Sequence, residues 1–303
     1  MGNPRNSTKY RLVGYLMIMT ASILFGFNGS LSRLLFDEGM TPITLVEFRM
    51  LIGGLCLLTV LTIGQRKGLK VQRQDWIWIL AFGISLALVT YTYFVAISLL
   101  PIAVALVIQF SAIAWMVLGE AIWKRRIPSA FVLTALGLTF GLLLLTGVWR
   151  QNLNNLNSIG LLFANLAVIA FIGYLLLGRR VGRNLPSLTS TAYGALVAAT
   201  FWLIVQPPWS IPGSTWTLHH LLLIALVGIF GMAIPFSLTL GSLRRIDATR
   251  VGIASMLELV AGGIIAYFWL GQHLDYLQIA GCISVMVGVA ILQYEGPEEK
   301  SVD

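Results

Sequence analysis

Long apolar runs and short polar interruptions alternate along the whole chain. The runs cover Leu12–Phe36, Ile43–Ile63, Trp76–Ser98, Ile102–Trp123, Phe131–Val148, Ile159–Gly178, Leu188–Val205, Leu218–Leu240, Ala248–Leu270 and Leu277–Leu292. A helix needs roughly 20 apolar residues to cross the hydrocarbon layer, and these runs match that length. They lack the apolar–polar alternation of barrel strands. The interruptions are Thr41-Pro42, Arg66-Lys67-Gly68, Leu100-Pro101, Lys124-Arg125-Arg126, Gln151 to Ser158 and Pro207-Pro208. Backbone polar groups in lipid must be satisfied within their own segment. The pattern therefore predicts an all-α polytopic membrane protein with ten transmembrane helices, and no connection that could hold a soluble domain.

Composition agrees. The chain is 57% hydrophobic and 11% charged, against roughly 25% charged in soluble domains. The first run follows Arg5, Lys9 and Arg11, as the core of a signal peptide would. It is too long for one, carries Asn28 and Arg33 near its far end, and shows no small-residue cleavage pattern. It is expected to be a first spanning helix.

A net charge of +8 would suggest nucleic acid on a soluble chain. Here the positions of the charges decide. Arg5, Lys9 and Arg11 precede the first span. Arg66, Lys67, Lys70 and Arg73 follow the second, and Lys124, Arg125 and Arg126 the fourth. Arg179, Arg180 and Arg183 follow the sixth, Arg244, Arg245 and Arg250 the eighth, and Lys300 lies in the tail. All of these fall on one side of a ten-span topology, leaving Arg33 and Arg150 on the other and Arg49 inside a span. The positive-inside rule then places both termini in the cytoplasm of a cell with a bacterial-type inner membrane. Nucleic acid is not an expected partner; lipid is. Trp76, Trp78, Trp123, Trp202, Trp209 and Trp216 stand near span ends and are expected to be interfacial anchors. Cys56 and Cys282 are isolated in apolar runs, so neither a disulfide nor a metal pair is expected.

Five spans per half is an odd number, so the halves would lie in opposite orientations, an arrangement of many secondary carriers. An offset of about 147 residues sets Gly141-Leu-Leu-Leu-Leu against Gly288-Val-Ala-Ile-Leu, and Ser98 to Ala112 against Arg245 to Leu259. The division is residues 1–150 and 151–294 as two inverted five-helix repeats, with 295–303 a cytoplasmic tail.

Arg244-Arg-Ile-Asp-Ala-Thr-Arg-Val-Gly-Ile-Ala-Ser-Met-Leu-Glu258-Leu, followed by Ala261-Gly-Gly-Ile-Ile-Ala-Tyr-Phe-Trp-Leu-Gly271-Gln, resembles the second-repeat signature of EamA-type carriers of the drug/metabolite transporter superfamily. Gly281 to Gly288 fits the same signature, and Glu47-Phe-Arg49 is similar to the family's first-repeat pattern. The resemblance spans nearly the whole chain. It implies two five-helix repeats moving amino acids, related metabolites or toxic compounds. Two positions depart from the family pattern. Leu259 replaces the usual proline, so the ninth span is expected to bend less, and Gln272 replaces a glutamate. In the first repeat the corresponding proline and glutamate are also absent, with Arg125 or Arg126 near the glutamate position.

The candidate chemistry is sparse. Glu258 lies deep in the ninth span, where a charge facing lipid costs about 3 kcal/mol or more. It shares a helix face with Ser255 and Gly262 and is read as lining a translocation cavity, there to bind a cationic group or a proton. The alternative is a protonated carboxyl fixing helix packing. Arg49 could hold a substrate carboxylate, or pair with Glu47, Asp37 or Glu38, with Glu47 at the interface. Asn28 and Gln109 are read as cavity-lining or as interhelical glue, and Asn165 likewise. Tyr91, with Tyr93, Trp115 and Tyr174, offers stacking surface. Glu120 is read as a helix pair with Lys124. Gly137 and Gly141 form a close-packing pair, within the fold or in a dimer. Pro235, after Gly228 and Gly231, should kink the eighth span. His219 and His220, adjacent on a helix, make a poor metal site.

No Gly-x4-Gly-Lys-Ser/Thr phosphate loop is present, and no cofactor is expected. The reading is a secondary transporter of small organic solutes, exporting by alternating access on a gradient, with protons the expected coupling ion, as a monomer or homodimer. An intramembrane enzyme would need paired acids, a His-Glu-x-x-His motif or a deep serine–histidine pair. A channel would need a charged ring or a carbonyl filter. The chain offers none of these motifs.

Overall fold

The computed structural model describes residues 8–64, 69–100, 102–116, 156–213, 216–270, 275–281 and 283–284, and single positions 119, 137, 140, 141, 143, 144 and 287. Most of the expected fifth and tenth spans, Glu120 with Lys124, Gln272 and the tail lie outside the described residues.

The described chain is all helical. α1 is Thr8–Asp37, α2 Pro42–Gly64, α3 Trp76–Leu99, α4 Ile102–Phe110, α5 Ser158–Asn184 and α6 Ser187–Val205. α7 is Leu218–Gly228, α8 Ile234–Leu243, α9 Ala248–Ser255 and α10 Leu257–Leu270. Among the described residues, six stretches are long and apolar enough to cross a membrane: Lys9–Asp37, Pro42–Gly64, Arg73–Leu99, Ser158–Asn184, Ser187–Val205 and Leu218–Leu243. Their outward faces carry large apolar side chains at helical spacing, such as Ile77, Leu80, Ile84 and Leu88 on α3 and Leu162, Leu166, Ile169 and Leu176 on α5. Such stripes are unusual on a soluble protein and suit acyl chains.

Small residues let the helices approach. α6 buries Ala192, Gly194, Ala195, Ala198 and Ala199 where it packs on α2 and α3. A Cβ on Gly194 would meet the Phe82 ring at 2.6 Å, and one on Gly54 would meet Leu196 at 3.0 Å. In a bilayer, where no water drives helices together, close packing of this kind supplies the association energy. α3 also packs on α5, and α5 on α4; α1 packs on α8, α9 and α10.

The helix ends follow local chemistry. Asn157 caps α5, its Oδ1 accepting from the backbone N–H of Ile159 (2.9 Å) and Gly160 (3.0 Å). Thr217 caps α7 through the N–H of His220. Gly39, at φ 89°, turns the chain after α1. At the Lys/Arg-rich end, Asn184 donates to Asp75 at 2.8 Å and Arg179 pairs with Asp247.

Three helices are interrupted. α4 stops at Ser111 before a further turn at 112–116, and α9 gives way to α10 at Met256. Residues Ile229–Ala233 form a π turn between α7 and α8, placing the predicted disturbance just ahead of Pro235. The interruption at Met256 occurs without a proline, and there the Met256 N–H reaches the Ile253 carbonyl at 3.1 Å, one residue short of the α pattern.

Candidate functional site

Helices from both parts of the chain converge on a half-open cavity of about 70 Å3. The break at Met256 is central to it. It starts α10 one residue before Glu258, so the carboxyl sits in the first turn of that helix. Ser255, three residues earlier, is buried on the same cavity. Gly26 lets α1 run against this turn: a Cβ there would lie 2.8 Å from the Glu258 carbonyl oxygen and the Gly262 nitrogen.

Arg49 enters from α2. It is 1% exposed, lies with its guanidinium carbon 4.9 Å from the Phe94 ring centroid and 6.0 Å from that of Phe236, and donates from Nη2 to the Gly231 carbonyl at 2.6 Å. The rings offer it cation–π attraction. Its Nε has no hydrogen-bond partner. Glu258 and Arg49 thus face one cavity, within electrostatic reach of each other. The pairing with Glu47, Asp37 or Glu38 is not formed. Asp37 bonds Arg33 at 3.1 Å, and Glu38 takes both His219 (3.3 Å) and His220 (3.1 Å). Glu47, near the start of α2, is fully buried by protein, with both carboxyl oxygens unpartnered.

Asn28 from α1 and Gln109 from α4 complete the polar wall. Asn28 Oδ1 and Gln109 Oε1 are buried without partners, so each can still accept a hydrogen bond. Asn28 presses on the π turn, where only glycine fits: a Cβ on Gly231 would overlap its amide. Phe25, Phe94, Phe171 and Phe236 form the apolar part of the lining.

Five of the six foremost candidates, Glu258, Ser255, Asn28, Gln109 and Arg49, therefore meet at the cavity. Tyr91 does not. Two residues along a helix turn a side chain by about 200°, so Tyr93 faces the cavity while Tyr91 packs on Trp202 (4.5 Å between centroids) and Phe163 (5.9 Å). Trp202, expected at the interface, is buried by that contact. Tyr174 lines the cavity and Trp115 is exposed. Asn165 is exposed and bonds its own helix at Leu161, so it glues nothing. Thr90 and Thr239 also line the site. Sequence reasoning missed them; the one signal was Thr90 standing a helical turn from Tyr93.

A bundle of membrane-long helices around a small cavity lined by a carboxyl and a guanidinium fits a multi-pass membrane transporter. The pattern of the EamA-like transporter family matches residues 12–147 and 158–294, and the chain belongs to that family. Its relatives are transporters, not enzymes. The threonine/homoserine exporter RhtA of Escherichia coli (strain K12) is 28% identical over 284 residues, spanning 92% of this chain and 90% of the exporter. RhtA of Salmonella typhimurium (strain LT2) is 26% identical over 310 residues, spanning 100% and 99%. The uncharacterized transporter YcbK of Bacillus subtilis (strain 168) is 29% identical over 168 residues, 52% of this chain and 53% of that one. A crystal structure at 20% identity superposes with a TM-score of 0.74, covering 94% of this chain and 96% of the other, a likeness of fold.

Proposed function

We propose that the protein exports small zwitterions, amino acids and close relatives, across the inner membrane by alternating access. One observation carries this reading: Glu258 and Arg49 stand on the wall of the same small cavity. An amino acid offers an ammonium group to the first and a carboxylate to the second. The free Arg49 Nε and the unpartnered oxygens of Asn28 and Gln109 supply the directed hydrogen bonds, and the phenylalanines take the side chain. A carboxyl that binds a proton when the solute has left gives coupling to a proton gradient without ATP. The RhtA relatives make L-threonine and L-homoserine the first solutes to try.

The carrier architecture we infer is ten spans in two inverted repeats with cytoplasmic termini. Three features support it. Exchanging the first four spans with the sixth to ninth maps α1 on α8 onto α5 on α3, and α1 on α9–α10 onto α5 on α4, while α2 on α6 maps onto itself. The breaks at Ser111 and Met256 fall in corresponding fourth and ninth spans. Ser284 Oγ donates to the Gly137 carbonyl at 3.1 Å across 147 positions, the offset of the repeat.

Counterflow of L-threonine in proteoliposomes tests the reading. Glu258→Gln should lower the rate about tenfold or more, about 1.4 kcal/mol of lost stabilisation, and should flatten its dependence on a proton gradient. An unchanged rate with unchanged gradient dependence would remove Glu258 from the mechanism.

A further inference from the structure

The outward stripe of α5 changes character at one end. Leu162, Leu166, Ile169 and Leu176 recur at intervals of three, four or seven residues, and all are exposed. The same spacing continues to Arg180 and Arg183, both exposed in the last two turns of the helix. Residues so spaced share a helix face, so the face that suits acyl chains ends in two guanidiniums. Leu176 and Arg180 lie about 6 Å apart along the axis. α3 runs antiparallel beside this end: Asn184 bonds Asp75, and a Cβ on Gly178 would lie 3.4 Å from the Phe82 ring. Between those levels stands Trp78, 36% exposed, with its ring centroid 4.8 Å from the guanidinium carbon of Arg180. The exposed apolar residues of α3, Ile77, Leu80 and Ile84, run on from there.

An indole settles at the boundary between hydrocarbon and headgroups, so its contact with Arg180 holds that guanidinium at the depth of lipid phosphates. The ring attracts the guanidinium by its charge and takes none of its five N–H donors. Arginine meets a phosphate with two parallel N–H bonds. Among the described residues, the acids at this end have other partners: Asp247 pairs with Arg179, and Asp75 accepts from Asn184. A zwitterionic headgroup would bring an ammonium that no carboxylate here is free to receive, whereas a net anion matches two uncompensated cations. Basic pockets between spanning helices bind anionic headgroups on this principle. We propose that Trp78, Arg180 and Arg183 form the headgroup site of one anionic phospholipid, whose chains lie along the outward stripes of α3 and α5. The site is separate from the cavity and does not depend on the nature of the solute.

Thermal unfolding of the full-length protein in detergent tests the site. Phosphatidylglycerol and phosphatidylcholine with identical acyl chains are added in parallel. Phosphatidylglycerol should raise Tm at a several-fold lower concentration than phosphatidylcholine. Arg180→Gln combined with Arg183→Gln should abolish that preference, and Trp78→Leu, which keeps the surface apolar, should reduce it several-fold. Arg180→Lys, which keeps the charge and loses the paired donors, should weaken it and serves if the double variant does not fold. Arg33→Gln, which removes a cation from the opposite end of the bundle, should leave it intact. Equal stabilisation by the two lipids in the wild type would overturn the inference. So would a preference undiminished in the Arg180 and Arg183 variants, or one lost equally in Arg33→Gln. Inorganic phosphate alone should leave Tm unchanged; a rise equal to that given by phosphatidylglycerol would make this a free-anion site and overturn the lipid assignment.

Discussion

Glu258 and Glu47 are both carboxyls in apolar helices, and their surroundings give them different work. Glu258 borders the cavity and shares it with a cation. Glu47 is 0% exposed, and neither of its oxygens finds a donor. A buried carboxyl left unpaired costs stability, most of all when ionised, and glutamine keeps its shape with no charge to bury. Glu47→Gln should therefore leave Tm unchanged or raise it and preserve transport, in contrast to Glu258→Gln; thermal unfolding and counterflow on the same preparation check both. Sequence singled out Glu258 because an acid so deep in a span needs a reason. It could not separate Tyr91 from Tyr93, since both lie in the same apolar run and only the rotation of α3 in the bundle decides which ring faces inward. It left Arg49 open between a solute carboxylate and the acids near it in sequence, because its acceptor is a main-chain oxygen on another helix, and main-chain atoms leave no mark in a sequence.

Among the helices, the interruptions matter more than the lengths. The disturbance near Pro235 was legible because proline removes a donor wherever it stands. The break at Met256 was not, because neither proline nor glycine stands there to announce it. The close approach of α1 to α10 is equally silent in hydropathy. Gly26 is what permits it, and its neighbours there are backbone atoms at 2.8 Å that cannot rotate away. Gly26→Val should destabilise by about 1–3 kcal/mol, the usual range for overpacking. Thermal unfolding would show the loss, and Gly39→Val would not serve as a control, since that glycine holds a positive φ. Gly213, with nothing within 4 Å of its Cβ position, is the better control, and its substitution should leave Tm near that of the wild type.

For the molecule as a whole, alternation of apolar runs and basic loops carried most of the information. The six long helices coincide with six of the ten runs, because lipid imposes length and polarity directly on sequence. The way the helices pair depends on where glycine and alanine faces meet, which a single sequence does not order. Orientation is open to a direct test. In a background lacking Cys56 and Cys282, a cysteine at exposed Gly213 should react with an impermeant maleimide in intact cells. One at exposed Pro186 should react only after the membrane is opened. The reverse pattern would invert the topology and reassign the direction of the proposed export.

The cavity hydroxyls hold one more consequence. Ser255 donates to Val251, Thr239 to Pro235 at 2.8 Å, and Thr90 to Leu86. Each has spent its single proton on its own helix and turns only lone pairs toward the interior. Beside the Glu258 carboxyl these three oxygens make an accepting patch, in contrast to the donors that Arg49, Tyr93 and Tyr174 bring to the same cavity. A nitrogen still carrying its hydrogens can answer several of those lone pairs at once; the same nitrogen fully methylated answers none. That patch should therefore hold a primary amine better than a quaternary one of similar size, and thermal stabilisation by L-threonine against its trimethylated form would show the difference.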